Sequence, residues 1–165
     1  MHFEYDQHIG GPPSVVAAAL ADPAYYATLG ELPDLGIPEV VTHQVDGDVV
    51  TLDVRYSFTR VLSAGVAAVI DPKKLTWVDH ATHDLAARTV TFELRPDNYA
   101  DRFTASGSYR FDPDGDATLR RLRGDLSVRA PLVGGRVEKA IVEGLRDHFA
   151  AESGHIERFL SRRSA

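Results

Sequence analysis

The sequence predicts an α+β fold in which a curved, seven-stranded antiparallel sheet wraps around a long C-terminal helix, with two short helices after strand one. Three observations predict it. Apolar and polar residues alternate in a series of stretches, most of them joined pairwise by turn-forming residues. One later stretch, from about Val133 to Leu160, instead repeats its apolar residues at near-helical spacing. Each hairpin exposes an apolar stripe, and the last helix is the only element long enough to cover all of them.

The first strand is read from Phe3, Tyr5, Gln7 and Ile9 alternating with His2, Glu4, Asp6 and His8. Gly10-Gly11-Pro12-Pro13-Ser14 breaks it and opens a helix, with proline in the first turn and Ser14 as candidate cap for the Val15 to Leu20 run. Asp22-Pro23 interrupts that helix. A second short one carries Tyr25, Tyr26 and Leu29, and Gly30, Pro33, Gly36 and Pro38 mark an irregular connection. Val40 to Val45 and Val49 to Phe58 flank Asp46-Gly47, a dipeptide suited to a tight primed turn, and so form a hairpin. In its second strand Leu52, Val54, Tyr56 and Phe58 share one face and Thr51, Asp53, Arg55 and Ser57 the other, so the sheet is wet on one side.

Ser63 to Ile70 reads as a short helix or turn at one end of the sheet, closed by Asp71-Pro72. Leu75 to His83 and Thr89 to Arg95 are strands joined by the four residues Asp84 to Ala87. Phe103 to Phe111 and Thr118 to Ala130 follow, joined by Asp112 to Asp116. Val137, Ile141, Leu145, His148 or Phe149, Glu152, Ile156 and Leu160 make the inner strip of the closing helix, roughly 40 Å long at about 1.5 Å per residue.

Composition narrows the function. The 165 residues, 44% hydrophobic, suit one domain over 1–165 with one core. A net charge of −6 with no acidic tail repels phosphate backbones, so no nucleic-acid partner is expected. The lack of cysteine excludes disulfides, thiolate metal ligands and a cysteine nucleophile, and fits a reducing compartment. Met1 to Asp6 has no basic segment before an apolar one, and no run approaches about 18 apolar residues. Neither signal-peptide export nor stable membrane insertion is expected, which makes the cytoplasm the predicted location. The excess of arginine over lysine, with abundant alanine, glycine and aspartate, suggests a GC-rich bacterial source.

The order of strand, two short helices, six strands and a long helix is the helix-grip layout. Three segments carry a closer likeness: Asp71-Pro72-Lys73-Lys74-Leu75-Thr76-Trp77-Val78, Pro96-Asp97-Asn98-Tyr99-Ala100-Asp101-Arg102, and Pro131-Leu132-Val133-Gly134-Gly135-Arg136-Val137-Glu138-Lys139. With the layout, they resemble the START-like (SRPBCC) superfamily of birch-allergen and polyketide-cyclase proteins. Within it the chain is similar to a bacterial family catalogued as domain of unknown function 2505. The resemblance covers nearly the whole chain. It implies a fold and a cavity between sheet and helix that holds lipids, sterols or polyketides, and it implies no particular reaction or cofactor.

If Asp84 to Ala87 form the loop, His83 pairs with Arg88, Ala81 with Val90, Asp79 with Phe92 and Trp77 with Leu94, all on one face. The other face then carries Thr76, Val78, His80 and Thr82 against Arg95, Glu93, Thr91 and Thr89, which suits water. An odd-length loop would bury Glu93 and Arg95 instead. The residues expected to line the cavity are Tyr5, Leu52, Val54, Tyr56, Trp77, Asp79, Phe92, Leu94, Tyr109, Phe111, Ile141, Leu145 and His148. Gln7 and the Tyr56 and Tyr109 hydroxyls add polar points.

Asp79 is the exception on an apolar face, where an unpaired carboxylate is costly and tends toward a raised pKa. It either bonds a nearby side chain or lies at a wet cavity mouth, or it contacts a polar group of the ligand. Gly144 sits in the apolar strip at a cost of about 1 kcal/mol relative to alanine, offset either by close packing against Trp77 or Tyr109 or by room for a ligand. His148, Glu152 and His155 have spacing that can hold a metal, yet no HExxH pattern accompanies them, and solvated helix charges are the expected reading. Gly134-Gly135 reads as flexibility at the helix start. Arg120, Arg121 and Arg123 are expected to be solvated or paired with nearby carboxylates.

Binding of a hydrophobic or amphipathic small molecule is the leading expectation. One alternative is a cyclase or dehydratase using Asp79 with Tyr56 or Tyr109 as acid–base groups. The other is an interaction module whose interior is filled by its own side chains.

Overall fold

Turn chemistry sets the hairpins. Gly47 and Gly115 both adopt φ 60°, so Asp46 pairs with Val49 and Asp114 with Ala117 across two-residue turns. The computed structural model describes residues 1–30, 32–68 and 70–165. Among these the chain runs β1 (His2–Gly10), α1 (Pro13–Leu20), α2 (Pro23–Tyr26), β2 (Glu39–Asp46) and β3 (Val49–Ser57). It continues through α3 (Ala64–Ala67), a 3-10 turn (Pro72–Lys74), β4 (Thr76–Asp84), β5 (Thr89–Pro96), β6 (Phe103–Asp114), β7 (Ala117–Val128) and α4 (Gly134–Arg163). In the segment read as Ser63 to Ile70, residue 69 lies outside the described residues, as does residue 31 in the irregular connection.

The seven strands form one antiparallel sheet in the order β1-β7-β6-β5-β4-β3-β2. Strands β2 to β7 pair with their neighbours in sequence, whereas β1 pairs with β7, so α1 and α2 carry the chain from one edge of the sheet to the other. β2 is the bulged edge strand, with a register shift between Val40 and Thr42. Facing glycines on β6 and β7, Gly107 and Gly124, leave room for the rings of Phe92 and Phe3. A Cβ on Gly107 would stand 2.7 Å from Phe92 Cζ, and one on Gly124 2.6 Å from Phe3 Cζ.

The β4–β5 register departs from expectation by two residues. Asp84 pairs with Thr89, His83 with Val90, Ala81 with Phe92, Asp79 with Leu94 and Trp77 with Pro96. The cause is local: the Asp84 carboxylate accepts from the Ala87 N–H at 2.8 Å, and Arg88 takes φ 57° to close the turn. Asp84 therefore ends the strand and the loop is Leu85 to Arg88. Because the slip is even, every side chain keeps its expected face.

α4 is one unbroken helix of 30 residues, about 45 Å long. It lies mainly against β1, β7 and α1. Hydrogen bonds pin it to those strands: the Gln7 amide donates to the Phe149 carbonyl, the Val128 N–H to Glu138 at 2.8 Å, the Gly10 N–H to Glu157 at 2.7 Å, and the Arg120 guanidinium to Glu152. Its buried residues include Val142, His148, Glu152, Ile156 and Phe159. Val142 thus faces inward more fully than Ile141, and Phe159 more than Leu160. None of the described helices is long and apolar enough to cross a membrane.

Candidate functional site

Two apolar clusters hold the fold. One joins Ile9, α1, Tyr25, Leu52, Val54, Phe111, Ile156 and Phe159; the other joins Phe3, Ala105, Leu122, Leu126 and Val142. Phe92 and Tyr109 touch both. Between the clusters, under α4, the concave face turns polar.

Strand pairing lays out that interior. Tyr56 pairs with Trp77, and their rings stack at 6.1 Å. Val54, Asp79, Leu94, Ala105 and Leu126 form one cross-strand row, and Val50, His83, Val90, Tyr109, Leu122 and Tyr5 another. From α4, His148 meets the Tyr56 ring edge-on at 6.4 Å, and Phe149 stacks on Tyr5 at 5.6 Å. Of the thirteen residues expected inside, Leu52, Val54, Phe111 and His148 are buried. Tyr5, Tyr56, Trp77, Asp79, Phe92, Leu94, Tyr109, Ile141 and Leu145 face inward but are only half-buried.

Arg120, grouped in the sequence with two exposed arginines, is the interior's central charge at 2% exposure. Its guanidinium donates to the Glu152 carboxylate and lies between the Tyr109 ring at 5.1 Å and the Phe149 ring at 4.9 Å. The signal was in the pattern: Thr118, Arg120, Leu122 and Leu126 share one parity on β7, and the leucines place that parity inside. Glu152 is committed to Arg120, and His155 Nδ1 accepts from Arg158 at 2.9 Å, so the three-residue strip on α4 does not converge.

Asp79 carries the least satisfied charge. Its Oδ1 is buried with no hydrogen-bond partner among the described residues, a condition shared by Arg120 Nε, His148 Nδ1, Gln7 Oε1 and both His83 nitrogens. Burial, reinforced by Glu152 and Asp53 and opposed by Arg120, pushes the Asp79 carboxyl up to about 7. Burial also lowers His148, pulls His83 down to about 4, and raises the Tyr56 and Tyr109 phenols.

These shifts set opposing pH dependences. Asp79 holds its proton in the folded chain and loses it in the unfolded one between about pH 4 and 7, so its contribution falls as pH rises through that window. His83 stays neutral where the unfolded chain is protonated, so its contribution rises from about pH 4 to 6.5. Asp79→Asn removes only the first, and unfolding free energy from urea titrations will climb more steeply between pH 4 and 6.5 than in the parent. An unchanged profile would mean that Asp79 is solvated.

Gly144 does not pack against Trp77 or Tyr109, because a Cβ there meets nothing within 4 Å. The close-packing account is thereby corrected: the position that a Cβ would take at Gly144 is open space. Gly144→Ala therefore gains helix propensity without a clash and will raise stability by up to about 1 kcal/mol in thermal denaturation. A depression of about 490 Å³ opens where β5 and β6 part beyond the Leu94–Ala105 pair; Glu93, Arg95, Thr104, Ser106, Asp125 and Ser127 line it, so it faces the outer side of the sheet and no residue of α4 borders it.

The family profile described as "Protein of unknown function (DUF2505)" matches residues 4–160. The chain belongs to the DUF2505 family. No curated protein matches it. Among solved structures, this DUF2505 chain is similar to TTHA0849 from Thermus thermophilus, with 18% identity, 100% of both chains covered and a TM-score of 0.69. It is similar to the Zhui aromatase/cyclase from Streptomyces sp. R1128, with 20% identity, 100% of this chain and 96% of that chain covered and a TM-score of 0.67. A START superfamily protein from Mycobacterium smegmatis aligns at 18% identity over 96% of this chain and 98% of that chain, TM-score 0.61. At these identities the likeness is one of fold, and the START-like helix-grip layout is the fold of this DUF2505 member.

Proposed function

We propose that this DUF2505 protein encloses a hydrophobic or amphipathic small molecule, of lipid, sterol-like or polyketide-like character, in a chamber between its sheet and α4. The observation that supports this most is the half-burial of Tyr56, Trp77, Phe92, Leu94 and Tyr109 on the concave face. Side chains in a solid core interdigitate to near-crystalline density, as Leu52 and Phe111 do at 1% exposure. Rings that face the helix and still admit a water-sized probe border a space. That weighs against an interior filled by its own side chains. The family of folds lends further support, since one structural neighbour is named an aromatase/cyclase.

Catalysis in the same chamber has less support. Asp79 Oδ1 accepts no hydrogen bond from Tyr56 or Tyr109, so the acid–base pairing that such a reaction needs is not assembled.

Protein purified without delipidation, extracted into organic solvent and analysed by mass spectrometry, will yield a bound small molecule. A ligand present at a hundred times its Kd adds about 2.7 kcal/mol, which raises Tm by about 5–10 °C in a chain of this size. An empty extract, together with no Tm shift from any of a panel of lipids, sterols and aromatic polyketides, overturns the reading.

A further inference from the structure

The chamber's charges and its unpartnered atoms together describe the polar end of what it holds. Among the described residues Arg120 is the only buried lysine or arginine, and Glu152 neutralises it directly. The aromatic rings of Tyr109 and Phe149 flank the guanidinium on both sides. Among the described residues no buried cation is left over for a ligand. His148 and His83 face the interior as neutral imidazoles, because burial disfavours their charged forms. Asp79 is left as an acceptor without a donor, on the row beside Tyr56 and Trp77. The interior is neutral when Asp79 holds its proton and negative when it does not.

A carboxylate or phosphate entering this space would meet Glu152 and Asp79 with no free cation to offset them, and would shed its water without replacement. A hydroxyl would give its hydrogen to Asp79 Oδ1, a contact that satisfies both groups at once. Stacked Tyr56 and Trp77 supply a flat apolar wall next to that contact.

We propose that the chamber selects apolar molecules that present a hydrogen-bond donor, such as an alcohol or phenol hydroxyl, to Asp79, and rejects the matching carboxylates. This rests on the reading of the chamber as a binding site, and the test separates the two.

Calorimetric titration at pH 8 with 2-naphthol, 2-naphthoate, 2-naphthylmethylamine and unsubstituted naphthalene measures the preference on one skeleton. Dodecanol and dodecanoate repeat it on a flexible one. The hydroxyl compounds are expected to bind at least tenfold more tightly than the carboxylates. Asp79→Asn keeps the shape and an acceptor oxygen but removes the negative charge, so carboxylate affinity is expected to rise and the ratio to shrink at least threefold. Circular dichroism confirms that the variant is folded. Carboxylates binding as well as the alcohols overturns the selectivity while leaving the chamber as a binding site, and the cationic amine, which an ionised Asp79 attracts, is expected to lose affinity in Asp79→Asn. An unchanged ratio in Asp79→Asn removes Asp79 from the recognition. If no probe binds, naphthalene included, the binding reading falls and the selectivity with it.

Discussion

Glu152→Gln will destabilise the protein by about 3–5 kcal/mol, the cost of leaving a buried guanidinium without its counter-ion. Arg120 is 2% exposed, its Nε lacks a partner among the described residues, and the rings of Tyr109 and Phe149 both lie against the guanidinium. Water cannot step in for the lost carboxylate without opening the interface between β7 and α4. At about 2–4 °C per kcal/mol for a domain of this length, Tm should fall by roughly 10 °C, with a matching drop in the urea midpoint. The double variant Arg120→Met with Glu152→Leu removes both charges and refills the volume, so it will recover most of that loss. A single variant that costs under about 1 kcal/mol would mean that the pair is solvated, and the interior would then be wetter than its burial implies.

The second large effect separates the two ends of α4. Ile156 has no exposed surface and packs with Ile9, Tyr25, Phe111 and Phe159, so Ile156→Ala removes methylenes from a close-packed site and will cost about 2–5 kcal/mol. Leu145, more than two turns toward the N-terminus, faces inward but is half-buried. Leu145→Ala surrenders contacts on one side only and will cost about half as much or less, because a residue bordering a space has fewer partner atoms to lose. Chemical denaturation of the two variants tests whether the helix is anchored at its C-terminal half and roofs a chamber at its centre. Equal costs would say that Leu145 is as tightly packed as Ile156, and the chamber would shrink accordingly.

Much of the site could be read from one stretch of chain at a time. The alternation in β1, β3, β4 and β5 told which side chains face the helix, and the even length of the β4–β5 loop preserved that assignment even though the pairing slipped by two residues. The slip itself depended on a side chain capping a turn, Asp84 onto the Ala87 N–H, which alternation does not report. Arg120 was legible by parity with Leu122 and Leu126, but its place in a run with Arg121 and Arg123 drew attention to charge rather than to position. Gly144 could be placed on the inner strip by spacing; whether anything stood opposite it could not.

The element order, the faces of β1, β3, β4 and β5 and the one long closing helix were legible in the chain alone. Those are consequences of a two-residue and a 3.6-residue repeat acting within a few turns of chain. It takes the folded molecule to bring Arg120 against Glu152, to leave Asp79 Oδ1 without a donor among the described residues, and to leave nothing opposite a Cβ at Gly144. Those facts depend on how far the sheet curves and where along it α4 is pinned, and such distances are set by the packing of side chains remote from one another in the chain.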